Sequence, residues 1–453
     1  MNRRERFFFI ALAPLASASL FLACSDDESG RAFTETLDAS EDSQSSHPEA
    51  ATPIDDAGDA GVPDVRVPVD ASDEPVVCTA KPCVTQLVGG ANHFCALLDD
   101  KTVRCWGYAY RALGIFDAGG APDPAQPTPM SMGLSGVEQI STGDMTTCAR
   151  LTNGTVTCWG SNSANELGLD PPTSDYGPHA PALVAFDGGV LDGVTRVDVG
   201  KMGAVFVKKS TGELWSWGDN AEDVLGRRGE GPNYLGPGQV TELAKEKIRR
   251  AGGGSVRQQS GAGYAITEDG RLLTWGTSKQ AVAYPGPIPV AVAGFENVSS
   301  ASGVRDNLCA VADGRLYCWG LSGVMACSGS TDSIMSPLEI RTSGEAPAQQ
   351  VSVNYGSTCV RLTDGTIECC GSDQFGQLGT GAADAGPSPK SPLLTKATAF
   401  TEHAVHVVAS NAATCALVQG GSVQCWGSNQ FGELGQGTRD KERHPAPVTV
   451  KFD

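Results

Sequence analysis

The sequence is poor in most of the features that announce a fold or a chemistry. Across 453 residues it has no helix-period stretch of note, which argues against helical bundles and layered α/β folds. Its apolar run from Phe7 to Ala23 is too short and wrongly flanked for a lasting membrane span. It lacks His-Glu-x-x-His, Gly-x-Ser-x-Gly and a Gly-Lys-Ser/Thr phosphate loop, so no zincin, serine hydrolase or P-loop is marked. It has fifteen cysteines but no Cys-x-x-Cys, which disfavours zinc and redox motifs. The six histidines, His47, His93, His179, His403, His406 and His444, show no metal-ligand pairing. Even His403 and His406 are three apart, which puts them on opposite faces of a strand. No cofactor, metal or catalytic set is expected.

What is present is repetition. Thr147 to Gly168 reads TCARLTNGTVTCWGSNSANELG, and similar text returns at Thr414 to Gly435 as TCALVQGGSVQCWGSNQFGELG. Both copies carry two cysteines across a turn, then Trp-Gly, then Leu-Gly. If Cys148 faces Cys158, Arg150 lies opposite Val156 and Leu151 opposite Thr155, leaving Thr152-Asn153-Gly154 as a three-residue loop with glycine last. The same arithmetic on Cys309 and Cys318 leaves Asp313-Gly314, a strong hairpin turn. Both loop lengths agree with facing cysteines at a disulfide-compatible spacing.

Trp-Gly occurs at Trp106, Trp159, Trp217, Trp275, Trp319 and Trp426, and Cys370-Gly371 fills the missing place. Upstream of each lies a shorter strand, clearest at Val84, Val137 and Val194, and before those come proline-bearing segments such as Pro287-Ile288-Pro289-Val290 that suit an edge strand. Four strands per unit of about fifty residues describe an all-β, seven-bladed propeller. The first unit lacks a proline-bearing strand and the chain ends with a spare one, Pro445 to Val450. The C-terminal strand is therefore expected to join the first blade and close the ring.

The cysteines fit this scheme. Hairpin pairs are Cys95 with Cys105, Cys148 with Cys158, Cys309 with Cys318, Cys359 with Cys369, and Cys415 with Cys425, while Cys78 and Cys83 clip the start of the fold. Cys370 replaces a Trp, and Cys327 stands where other units have the Leu of Leu-Gly. These two form either an inter-blade disulfide or two buried free thiols. Units three and four carry Phe206 with Ser216 and Tyr264 with Thr274 instead. The six tryptophans of the Trp-Gly pairs are blade-core residues.

The N-terminal 23 residues read as an export signal, with Arg3, Arg4 and Arg6 ahead of the apolar run and an arginine pair that hints at twin-arginine export. Leu20 to Cys24 resembles a bacterial lipoprotein signal, which implies lipidation of Cys24; ordinary cleavage nearby is the alternative. Residues 24–77 form the tether: from Ser25 to Val77 there are fifteen acidic residues and two arginines, too few apolar groups to fold. At flexible-coil scaling that tether spans about 40 Å. Of the formal net charge of −19, most belongs to it. The folded part, 78–453, is only mildly acidic.

The repeated text, with Cys309-Ala310-Val311, Asp313-Gly314, Cys318-Trp319-Gly320 and Gly376-Gln377-Leu378-Gly379, resembles the regulator of chromosome condensation repeat family over Val84 to Asp453. The resemblance implies a seven-bladed β-propeller that recognises proteins through loops on one face. Among its members are a small-GTPase exchange factor that binds chromatin, ubiquitin-ligase modules and a secreted β-lactamase inhibitor. For an exported, lipid-anchored copy in a bacterial cell envelope, the expectation is a non-enzymatic binding or scaffold propeller for a protein or glycan. The alternative is a dedicated regulator of one partner. Nucleic acid is not expected, and the membrane is touched through the anchor alone.

Two weaker signals remain. Arg227, Arg228, Lys245, Lys247, Arg249, Arg250 and Arg257 offer either a basic patch or a solvated face mixed with Glu222, Asp223, Glu230, Glu242 and Glu246. Tyr108, Tyr110, Tyr176 and Tyr234 fall in connecting segments, where tyrosine serves either binding or loop packing.

Overall fold

The structure, a computed structural model, describes residues 74–115, 125–201, 203–227, 234–256, 260–276, 286–304, 307–322, 327–382 and 390–452. The export signal, Cys24, His47, Arg228, Arg257 and residues 24–73 of the tether lie outside the described residues.

Seven four-stranded antiparallel sheets follow one another along the chain, each a simple meander. Their first strands, Val84–Gly89, Val137–Thr142, Val194–Val199, Ile248–Val256, Val298–Val304, Ala348–Val353 and Ala404–Ala409, neighbour one another in a closed ring around an axis. This is a seven-bladed β-propeller.

The hairpins follow from their turns. Cys148 pairs with Cys158 and Arg150 with Val156, Leu151 N–H donates to Thr155 O at 2.9 Å, and Gly154 closes the loop at φ +79°. Asp313 and Gly314, at φ +50° and +72°, make the tighter turn opposite Cys309 and Cys318. Phe206 faces Ser216 and Tyr264 faces Thr274 in the blades without cysteines. Five hairpin disulfides, the Cys78–Cys83 clip and a Cys327–Cys370 bridge between blades five and six are formed.

The ring closes differently from the sequence expectation. The last strand, His444–Thr449, pairs with Val423–Gly427 of its own blade, and the first blade has its own outer strand, Ala125–Ser131. The proline-bearing strand follows each Trp hairpin rather than preceding the unit, so none is left over. All seven outermost strands contain proline, which cannot donate to a ladder and so blunts the exposed edges. Blades one and seven meet face to face: Val84, Phe94, Trp106, Val408, Leu434 and Val450 share one core, and Phe452 sits edge-on to Trp106 at 5.6 Å.

Each tryptophan of the six Trp-Gly pairs is at most 1% exposed and faces the neighbouring blade. The glycine after it adopts φ between +101° and +138° in all seven blades, Gly371 included. A Cβ at Gly160 would stand 2.2 Å from Met145 O, and one at Gly371 2.5 Å from Gly356 O, so glycine is required at this place even where Trp has been replaced by Cys370. The indole then reaches the Leu-Gly turn of the preceding blade. Trp106 donates to Glu433 O at 2.8 Å, Trp217 to Glu166 O at 2.8 Å, Trp275 to Val224 O at 2.9 Å and Trp426 to Gln377 O at 3.0 Å. Trp159 and Trp319 find no such partner among the described residues. Blade four has no Leu-Gly turn to offer Trp319. Between blades five and six the covalent Cys327–Cys370 bond occupies the place of this indole link.

The first docked residues come earlier than composition suggested. Glu74 to Val77, assigned to the tether, pack on the propeller: Val77 N–H donates to Gln419 O at 2.8 Å and Val76 joins the core between blades one and seven. Glu74 accepts from Arg361 at 3.1 Å and lies 2.8 Å from His403 Nε2. Arg361 has a 2% exposed side chain, and a guanidinium buried that deeply needs a counter-charge.

Candidate functional site: the central channel

Every inner strand carries a β-bulge at the same place, where the register skips Thr85, Glu138, Thr195, Arg249, Ser299, Gln349 and Val405. A bulge re-aims the side chain that follows. The residues after it are Gln86, Gln139, Arg196, Arg250, Ser300, Gln350 and His406. Two positions further on come Val88, Ser141, Asp198, Gly252, Ser302, Ser352 and Val408.

An inner strand is a sheet edge, and its free N–H and C=O groups need partners. The polar residues of these two rings supply them from the preceding blade. Gln86 accepts from Ile140 N–H at 2.9 Å and donates to Ile140 O at 3.0 Å. Gln139 does the same to Val197 at 3.0 and 2.6 Å, and Gln350 to Val407 at 2.9 and 2.8 Å. Below them Ser141, Ser302 and Ser352 accept from Val199, Val353 and Ala409 at 2.8, 3.0 and 3.0 Å. Blade three departs from this pattern. Arg196 forms a two-pronged ion pair with Asp198, at 2.9 and 2.8 Å, and Asp198 takes the next blade's Ala251 N–H at 3.3 Å.

The rings enclose a cavity of about 480 Å³ on the side where the hairpin turns lie, lined among others by Gln86, Gln139, Arg196, Asp198, Arg250 and His406. Glu74 is also part of its wall. At the opposite end of the axis polar groups converge: Lys201 donates to Gly89 O at 2.8 Å, Asn354 to Gly90 O at 3.1 Å, and Tyr355 O–H to Asp144 at 3.1 Å from across the ring. His93 is enclosed there beside Thr142 and Thr147, at 3.1 and 3.3 Å. Burial, with Lys201 adding to it, pulls its pKa down to about 3, so it stays neutral.

Two more perturbed groups lie in Leu-Gly turns. The carboxyls of Glu166 and Glu433 are both pushed up to about 7, chiefly by burial. Each folds back onto its own turn, Glu166 accepting from Ala164 N–H at 2.6 Å and Glu433 from Phe431 N–H at 2.7 Å. Gln377 holds the equivalent place in blade six, accepting from Phe375 N–H at 2.9 Å.

The remaining candidates disperse. Arg227 is turned inward to Ser216 O at 3.0 Å, and Arg249 donates to Val298 O. Arg250 faces the channel, while Lys245 and Lys247 are exposed. Among the described residues these form no common basic face. His179 and His444 each bond an aspartate four residues earlier at 2.7 Å, and His406 lies in the channel. Among the described residues no group of three or more His, Cys, Asp and Glu is set to hold a metal ion. Tyr108 packs edge-on against Phe431 at 5.1 Å, joining blades one and seven on the face that bears the longer loops, and Tyr234 opens an outer strand. The polar rings are what reading the sequence missed. Their signal was the pairs Gln139/Ser141, Arg196/Asp198 and Gln350/Ser352 within otherwise buried strands.

Models of the Regulator of chromosome condensation (RCC1) repeat match residues 84–110, 137–166 and 404–433, with a second model matching 420–453. These segments carry regulator of chromosome condensation repeats. Outside these segments the same blade plan continues with more divergent text. Among curated proteins, the Ultraviolet-B receptor UVR8 of Arabidopsis thaliana is 27% identical over 313 residues, covering 66% of this chain and 67% of that protein. The E3 ubiquitin-protein ligase HERC2 of Homo sapiens is 26% identical over 314 residues, 65% of this chain but only 6% of the ligase. Among solved structures, Prp20p from Saccharomyces cerevisiae superposes with a TM-score of 0.62 at 16% identity, covering 82% of this chain and 88% of that one. At that identity the superposition speaks for the fold alone.

Proposed function

We propose that the chain is an exported, non-enzymatic recognition propeller, held to a bacterial envelope membrane through lipidated Cys24 and an acidic tether, and that it binds a protein partner with its long-loop face. The observation that carries this reading is where the chain enters. Glu74 to Val77 dock at the hairpin-turn face, on His403 and Gln419. The longer connections, such as 163–174 and 428–443, lie at the other face, away from that point of entry. Loops on a rigid scaffold are the usual place for binding residues. The similar proteins include a receptor by name, and the Prp20p structure was described together with that protein's binding to Gsp1p and histones. These favour a protein over a glycan as partner and keep a dedicated-regulator role as the second reading.

The test is capture from envelope extracts with the oxidised full chain, against a boiled control. A stoichiometric protein lost on Tyr108→Ala with Phe431→Ala, yet kept on Arg315→Gln at the hairpin face, supports the proposal. Loss with Arg315→Gln alone, or recovery of glycan only, overturns it. Cys24→Ser should release the protein from membranes, and retention would refute the anchor.

A further inference from the structure

Blades one and seven each complete their four strands from their own stretch of chain, so among the described residues no strand is exchanged across the seam between them. A strap ahead of the first strand crosses that seam instead. Residues 74–83 run from blade one over the hairpin turn of blade seven to blade six. Thr79 N–H and Ala80 N–H both donate to Gly420 O at 2.9 Å, and Val77 N–H donates to Gln419 O at 2.8 Å. Glu74 ends the crossing on Arg361 of blade six, at 3.1 Å. Glu74 and Val76 also stand in the wall of the cavity of about 480 Å³, so the strap forms one side of it.

The bond that fastens the strap is unlike the other disulfides. In those six, both cysteines are at most 1% exposed. Thiol–disulfide exchange needs a thiolate to reach a sulfur, so burial shields them. In Cys78–Cys83 the second cysteine is buried, but Cys78 is exposed and lies outside any strand. Closing so short a loop disfavours the undocked strap by roughly tenfold or more. Once the bond is open, a few hydrogen bonds at the surface and the contacts of Glu74 are left to hold the strap, and segments held so lightly open locally. We infer that Cys78–Cys83 is a redox latch: a dithiol reductant opens it, the strap lifts, Arg361 loses its carboxylate partner and the cavity opens on that side. One thiolate of the dithiol attacks Cys78 Sγ, and Cys83 leaves as a thiolate. The second thiolate of the dithiol attacks the mixed disulfide and releases Cys78. The dithiol ends as its own disulfide, and its two electrons and two protons end on the cysteine pair. The latch lies on the face opposite the proposed partner site, so either assignment can fail alone.

The test is stepwise reduction of the folded, oxidised full chain with dithiothreitol, followed by alkylation and peptide mapping. Cys78 and Cys83 should be alkylated first, with the other six disulfides still intact. In that species amide exchange at Val77, Thr79 and Ala80 should speed up about tenfold or more, while exchange in the blade hairpins stays as it was. Phenylglyoxal, which modifies accessible arginines, should leave Arg361 untouched in the oxidised chain and modify it once the latch is open. Cys78→Ser with Cys83→Ser should show the same fast exchange and the same Arg361 modification without any reductant. Another disulfide opening first, or selective opening that leaves either the strap amides or the Arg361 reactivity unchanged, overturns the inference.

Discussion

Removing the Gln350 side chain by Gln350→Ala isolates the clamp between inner strands. The amide bonds both Val407 N–H and Val407 O, at 2.9 and 2.8 Å, and Gln350 is only 9% exposed. Truncation leaves two backbone groups without partners. At about 1–3 kcal/mol for each buried group left unsatisfied, the cost is roughly 2–6 kcal/mol. Gln86→Ala deletes an equivalent pair of bonds, but Gln86 borders the large cavity, where water can replace the amide. Its cost should be about 1 kcal/mol, the net worth of an ordinary hydrogen bond. Urea unfolding of the oxidised chain, with the slope of the transition unchanged, would read the difference, and amide exchange at Val407 should speed up in the first variant only. Equal costs for the two variants, or unchanged protection at Val407, would refute the idea that the glutamines matter because they satisfy strand edges away from water.

Three further outcomes follow from the blade seams. Glu166 and Glu433 have folded pKa values raised to about 7 from an ordinary 4.5, so their stabilising contribution is full below about 4.5 and is lost as pH rises through 7. Glu166→Gln and Glu433→Gln, which copy Gln377, should leave stability unchanged at pH 4 and raise it by roughly 1–3 kcal/mol at pH 8; thermal melts across that range check it. Cys327→Ser with Cys370→Ser opens a sequence separation of 43 and should cost about 4 kcal/mol, whereas the separation of 10 in Cys148→Ser with Cys158→Ser should cost about 3 kcal/mol. Denaturant titration of both double variants decides whether the inter-blade bond is the stronger brace. Trp426→Phe breaks the indole bond to Gln377 O, while Trp319→Phe breaks none among the described residues, so the first should be the more destabilising by about 1 kcal/mol in the same assay.

Much of the fold was legible because propeller blades are local. A hairpin is specified by a few adjacent residues, so the Cys148 to Cys158 register and the Asp313-Gly314 turn could be worked out by counting. The place of Cys327 relative to Leu-Gly was legible for the same reason, since repeats put equivalent residues at equivalent points in space. What counting could not settle was which hairpin a connecting strand joins. The proline-bearing strand lies between two Trp hairpins in sequence and suits either; that choice misplaced the closure at Pro445 to Val450. The candidate site was less legible still. Gln86, Gln139 and Gln350 look like ordinary solvent-facing residues of alternating strands, and the bulge that turns them is a register shift between strands rather than a sequence motif. The buried Arg361 drew no notice because the carboxylate that holds it, Glu74, stands far away in the chain.

By itself the sequence determined the number of blades, the strand hairpins within them, the glycines that follow each tryptophan and the cysteines that face one another. Each depends on backbone preferences and side-chain alternation over a dozen residues. Only the tertiary structure decided how the ring shuts, where the chain first docks, which indoles find a carbonyl, and that two arginines share one cavity. Those depend on edges and faces of different blades meeting in space, where a group's partner is fixed by packing and not by its distance along the chain.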